Sequence, residues 1–283
     1  MKKKNILAYT VTSYVWSYTF WLLAILIALR SGVQLYLNEN LVQALYDKLL
    51  VGKVALIACF AIIATWGPLM GSVVVSLIDS EFKQELKQRI QVYRNIKQYL
   101  IVIGIYLSIG LLPAIPMIFV DGFSDISITT FLLYFGTMFV LQFVSSGLEE
   151  FGWRGFLLPE FLKENDVWDS SLKTGIIWAL WHSPIVFYIF YLQGMTLVPM
   201  LFSFVGFSVG IVAMSVVHSY FFIKTKSVLF SVYVHAVGNT VPLIAGLLIM
   251  GSYKIAVLSQ LLIWVVVYVI NKKNPEMFQK KSK

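Results

Sequence analysis

Six polar side chains stand in stretches that are otherwise apolar: Glu149, Glu150 and Arg154 in one run, His182 in a second, His235 and Asn239 in a third. An ionisable group inside hydrocarbon costs several kcal/mol unless it is paired or wet, so each is a candidate functional group. Glu150 and Arg154 are spaced i, i+4 with the acid first, the favourable order for a helical ion pair. Glu149, one residue earlier and turned by about 100°, is left free to face a cavity. His235 and Asn239 share a helix face at the same spacing, and the carboxamide offers two donors. A carboxylate, two histidines and a carboxamide are the parts of water-activated acyl hydrolysis: a base, a second base or ligand, and donors for an oxyanion. The same set allows a zinc site in which Glu149, His182 and His235 leave a fourth position open. Two of those three come singly from separate helices and Asn239 is a poor zinc ligand, so the expectation leans to a metal-independent reaction in which Glu149 and His182 share a water.

The elements that must position these groups are membrane helices. Of 283 residues, 59% are hydrophobic and 13% charged, against an ordinary charged share of about 25%. The formal charge of +8 is carried in loops and tails between apolar runs, which makes it a topology signal rather than a nucleic-acid footprint. The single cysteine, Cys59, excludes an intramolecular disulfide and a Cys-rich metal site and reads as a small buried hydrophobe. Eight runs are long enough to span, near 6–30, 53–79, 98–120, 127–158, 172–192, 198–223, 227–250 and 253–270. The fold class is therefore all-α, a polytopic bundle of about eight transmembrane helices. The first run is too long for a signal-peptide core and is expected to stay in the protein. Seventeen of the 22 Lys and Arg fall on one side in this arrangement and four on the other, which puts both termini in the cytoplasm. One structural domain is expected: helices 1–3 in residues 1–126, with a basic cytoplasmic segment near 80–97; the site helices 4–7 in 127–250; and the last helix with a basic tail in 251–283. The 80–97 segment reads as an extension of the second helix or a headgroup anchor at the surface.

Depth ties the polar groups together. With helix ends near Leu158, Leu172 and Ser227, Glu149, His182 and His235 lie about 13, 15 and 12 Å from the cytoplasmic side, implying one shared cavity open to the cytoplasm. His218, about five residues from its helix end, reads as a packing or headgroup-side histidine. Gly147 and Gly152 admit a close neighbour, and Pro184 frees the carbonyl of Leu180 beside His182. No His-Glu-x-x-His run is present and no Asp falls within a span. A serine-histidine pair drawn from Ser145, Ser146 or Ser183 stays open but leaves Glu149 and Asn239 unexplained.

The run Glu149-Glu150-Phe151-Gly152-Trp153-Arg154 resembles the EExxxR signature of the CAAX protease and bacteriocin-processing (CPBP, or Abi) family of intramembrane endopeptidases, related to the type II CAAX prenyl endopeptidases. Its FxxxH motif is met by His182 with Trp178 in place of Phe, and HxxxN by His235 and Asn239. The resemblance covers roughly residues 127–245. It implies that Glu149 is the general base or a metal ligand, that His182 helps to hold the attacking water, that His235 and Asn239 stabilise the oxyanion, and that Glu150 and Arg154 support them. It implies a membrane-embedded or lipidated peptide or protein as substrate, in CAAX removal, pheromone maturation or bacteriocin self-immunity. The rivals are a proton-coupled transporter, which would need a relay continuing to the outer face, and a non-catalytic immunity or scaffold protein, which would be expected to lose a motif residue.

Overall fold

In the computed structural model, which describes residues 2–247 and 253–278, the regular elements are helices. They are α1 (Lys3–Ser31), α2 (Asn38–Tyr46), α3 (Gly52–Thr65), α4 (Gly67–Ile78), α5 (Ser80–Arg89), α6 (Ile96–Asp121) and α7 (Ile128–Val144). A 3-10 turn (Ser146–Glu149), α8 (Glu150–Gly152), a π-helical turn (Trp153–Leu157) and α9 (Leu158–Leu162) continue α7. Then follow α10 (Val167–Trp181), α11 (Ser183–Leu192), α12 (Leu197–Thr225), α13 (Val228–Leu247), α14 (Tyr253–Lys273) and α15 (Pro275–Phe278). Side-chain caps explain several starts: the oxygens of Asp79, Asn95, Ser127 and Asp166 accept backbone N–H groups at the heads of α5, α6, α7 and α10.

Among the described residues, five helical stretches are long and apolar enough to cross a bilayer, and seven if each of two bent pairs is one span. This is a polytopic membrane protein. The pairs bend by 49° between α3 and α4 and by 50° between α10 and α11, each beside a proline, Pro68 and Pro184. Helix α14 stands where an eighth span was expected; residues 248–252, where the seventh and eighth expected spans meet, and Lys280, Lys281 and Lys283 of the basic tail lie outside the described residues. Large apolar side chains such as Leu77, Phe119 and Phe202 face outward, as a lipid-facing belt requires. Cys59 belongs to that surface: it is exposed on α3, which corrects its reading as a buried hydrophobe, because an apolar run does not reveal which of its faces packs inward.

Among the described residues, two large apolar clusters build most of the interior. One joins α1, α3 and α4 to α10 and α11 through Tyr9, Trp21, Ile57, Val75, Trp178 and Trp181; the other joins α6, α12, α13 and α14 through Tyr106, Val216, Val234 and Ile263. One end of the bundle is tied by polar contacts. Lys2 Nζ reaches Asp79 at 2.7 Å and Glu81 at 2.8 Å, its backbone N–H donates to Glu160, and Ser227 donates to the carbonyl of Gln91. The hydrogen bonds from Lys2 hold both carboxylates below their ordinary range and raise the ammonium above its own. The N-terminus, α5, α9 and the α12–α13 link thus share an end, here called the basic end. Helix α5 does not extend α4: Asp79 caps it as a separate helix, Phe82 is buried, and Arg89 reaches into the region of the site.

Candidate active site

The signature segment is bent into an unusual path. Helix α7 stops at Ser145 (φ −102°, ψ −94°), and the chain continues through the 3-10 turn, α8 and the π turn. Such turns inside a helix recur at functional sites. Close neighbours impose this course: a Cβ on Gly147 would lie 2.8 Å from Val232, and one on Gly152 would lie 2.4 Å from the Pro68 carbonyl and 2.5 Å from the Tyr9 hydroxyl. The Gly155 carbonyl, inside the π turn, accepts a hydrogen bond from Arg89 at 2.7 Å.

The two glutamates turn to different partners. Glu149 Oε2 accepts the indole N–H of Trp153 at 3.1 Å and of Trp178 at 2.9 Å, and Glu149 borders the main cavity. Two rigid donors on one oxygen fix the carboxylate plane and turn the second oxygen elsewhere. Glu150 sits behind, fully buried. Its Oε1 accepts Arg154 Nη1 at 3.0 Å, as the i, i+4 spacing predicts, and also His235 Nδ1 at 2.9 Å and His218 Nδ1 at 3.2 Å. A carboxylate paired with arginine only accepts, so both imidazoles carry their proton on Nδ1.

His182 caps α10 at the bend before Pro184, and its Nδ1–H donates to the Trp178 carbonyl at 2.9 Å, so Nε2 of the neutral ring keeps its lone pair. Asn239 Nδ2 donates to Gln142 Oε1 and Ser146 Oγ, both at 3.0 Å. Trp178 packs among the histidines and the arginine: its ring centroid lies 5.1, 5.8 and 6.1 Å from those of His235, His218 and His182, and Arg154 Cζ stands 5.0 Å from its centroid.

Glu149, His182, His235 and Asn239 therefore border one cavity of about 720 Å³. Glu150 and Arg154 lie behind it. The cavity does not run toward the basic end as the sequence suggested. On α13 its lining continues from His235 through Asn239 to Gly246, on α11 from Ile185 to Ile189, and it reaches Leu37 past the far end of α1. On the basic side Trp153, Phe156, Leu157 and Phe221 are fully buried and fill the space. Depth along a helix cannot reveal on which side of a polar group the bulky residues lie.

Gln142, Trp153 and Tyr106 were not assigned roles from sequence; Ser146 was read only as a candidate of a serine-histidine pair, Trp178 only as the aromatic before His182, and His218 only as a packing or headgroup-side histidine. His218 was legible in principle. It stands seven residues before Thr225, and His235 seven after Val228, so the two share a depth of about 10 Å once the true helix ends are known. Gln142, and the role of Ser146 as its partner, escaped because both are uncharged, although their i, i+4 spacing in an apolar run was a signal. As to metal, the oxygen and nitrogens that cluster among the described residues are those of Glu150, His218 and His235, within 4.8 Å of one another. Arg154 bonds to that same carboxylate oxygen, and a dication there would sit against a buried guanidinium, so these donors suit protons better.

A family profile described as "Rce1-like: Type II CAAX prenyl endopeptidase Rce1-like" matches residues 128–241, the stretch that carries every one of the three motifs. That segment is similar to the Rce1-like family. A CAAX prenyl protease 2 of Methanococcus maripaludis is 32% identical over 88 residues, which is 31% of this chain and 30% of that protein. The Rce1-like segment runs from the start of α7 to Val241 on α13 and so contains Glu149, His182, His218, His235 and Asn239, while α1–α6 lie outside the match and still contribute Tyr9, Arg89 and Tyr106 to its surroundings.

Proposed function

We propose that this Rce1-like protein is an intramembrane endopeptidase that hydrolyses peptide bonds of membrane-embedded or lipidated peptides or proteins with an activated water. The observation that carries the reading is Glu149: one oxygen is fixed by two indole donors, the group borders a cavity inside the bundle, and a histidine with a bare nitrogen, His182, borders the same cavity. Glu149 takes a proton from the water while His182 Nε2 accepts its other hydrogen, and the oxygen attacks the scissile carbonyl. Asn239 turns one amide hydrogen from Gln142 or Ser146 to the developing oxyanion. His235, its Nδ1–H held by Glu150, faces the oxyanion beside Asn239. The proton on Glu149 then passes to the leaving amine as the C–N bond breaks. No step requires a metal. The relative's name, CAAX prenyl protease 2, supports a prenylated C-terminal segment as one substrate to try. The site helices would lie within 127–250, and the basic end would face the cytoplasm with both termini.

A farnesylated C-terminal peptide incubated with the detergent-purified protein tests this. Cleavage is expected with wild type, none with Glu149→Gln at unchanged thermal stability, and no loss of rate on chelation. Equal cleavage by Glu149→Gln would sink the reading of the base, and inhibition by a chelator, reversed by zinc, would sink its metal independence.

A further inference from the structure

Behind the cavity, a hydrogen-bond chain runs through two residues that the three motifs do not include. The Tyr106 hydroxyl on α6 lies 3.1 Å from His218 Nε2, His218 Nδ1 lies 3.2 Å from Glu150 Oε1, and His235 Nδ1 reaches the same oxygen at 2.9 Å. The directions follow from chemistry. Glu150, paired with Arg154, only accepts, so His218 donates from Nδ1 and its Nε2 is an acceptor, and the phenol supplies the proton that this nitrogen needs. All members are buried: Glu150 and His218 fully, Tyr106 and His235 nearly so. Tyr106 and His235 also border the cavity, which Glu150 and His218 do not.

We infer that Tyr106 and His218 are positioning residues of the site, holding the Glu150 carboxylate so that His235 keeps its proton on Nδ1 and presents Nε2 to the cavity. Arg154 alone does not set that orientation. It sits on the same helical segment as Glu150 and anchors that segment to Ser215 on α12 at 3.2 Å, whereas His218 reaches the carboxylate itself from α12 beside His235 on α13, their ring centroids 5.2 Å apart. The sequence makes room for the phenol. Gly238, between His235 and Asn239, faces the Tyr106 ring, and a Cβ there would lie 2.8 Å from Cζ and 2.9 Å from the hydroxyl. The N-terminal helices, which match nothing diagnostic, thus reach into the site through one hydroxyl, and whatever occupies the cavity meets the first and last members of the chain.

The inference rests on the proposed role of His235 in hydrolysis, so its test reads the rings as well as the reaction. The full chain holds three histidines, and ¹⁵N-histidine labelling in detergent micelles resolves each ring. Wild type is expected to show His218 and His235 protonated on Nδ1. Tyr106→Phe should move His218 Nε2 toward the position of an unbonded ring nitrogen and perturb His235, with His182 unchanged as proof of an intact fold. On the farnesylated peptide, Tyr106→Phe should lower kcat about tenfold at unchanged KM, the scale of one lost hydrogen bond. His218→Leu should lose more, and His218→Asn, whose amide nitrogen takes the place of Nδ1, should recover most of that loss. Unaltered His235 resonances in Tyr106→Phe and His218→Leu overturn the inference, as does a change confined to KM. If wild type fails to cleave the peptide while the ring coupling is as described, the endopeptidase reading falls and the positioning chain stands.

Discussion

Trp178 stands where the family motif has Phe, and the structure gives the difference a consequence. Its indole N–H is one of two donors on Glu149 Oε2, and its ring packs against three histidines and Arg154. Trp178→Phe keeps an aromatic ring but removes the donor together with part of the indole surface, leaving Trp153 as the indole on that oxygen. A kcat about tenfold lower is expected at a stability cost of about 1 kcal/mol. Thermal unfolding and peptide cleavage, measured on the same preparation, check it; full activity in Trp178→Phe would show that Trp153 alone orients the base. The pairing of Glu150 with Arg154 was legible because i, i+4 is a property of one helix. The donors to Glu149 were partly hidden: Trp153 is in the motif at i+4, but no pattern in a single helix announces an indole from α10.

Among the elements, the π turn and its neighbours decide where the signature residues point. Gly152 lets α4 approach so closely that any side chain would meet the Pro68 carbonyl, backbone that cannot swing aside. Gly152→Val is therefore expected to destabilise by about 1–3 kcal/mol and to displace α8 and the π turn, losing cleavage together with stability. A thermal melt in detergent equal to wild type would show that α4 yields without cost. The break at His182 is an element-scale feature that the sequence carried in Pro184, since proline removes a helical donor and clashes with the preceding turn. The capped α5 was less legible: a charged, helix-favouring stretch does not say whether it continues α4 or starts afresh, and the Asp79 cap settles it.

For the molecule as a whole, the basic residues and the cavity point in opposite directions. The N-terminus, α5, α9 and the α12–α13 link gather at one end, and the cavity extends from Glu149 away from it. If the basic end is cytoplasmic, substrates reach the site from the opposite leaflet or laterally between helices. Cysteines introduced singly at Arg94 and at Leu37, in a Cys59→Ser background, test both halves of this. Labelling of intact cells by an impermeant reagent is expected at position 37 and not at position 94, and the reverse pattern would invert the topology.

The sequence by itself determined the membrane setting, the helical class, the ion pair of Glu150 with Arg154, and which residues would share a cavity. Those follow from hydropathy and from spacing within one helix, and both are local. Only the tertiary structure decided that His218 joins Glu150, that Asn239 is held by Gln142 and Ser146, and that the cavity lies on the far side of the polar layer. Each of these depends on the rotation of one helix against another. That rotation is set by contacts such as Gly152 on Pro68 and Gly238 on Tyr106, between residues distant in the chain, and no periodicity within either helix encodes it.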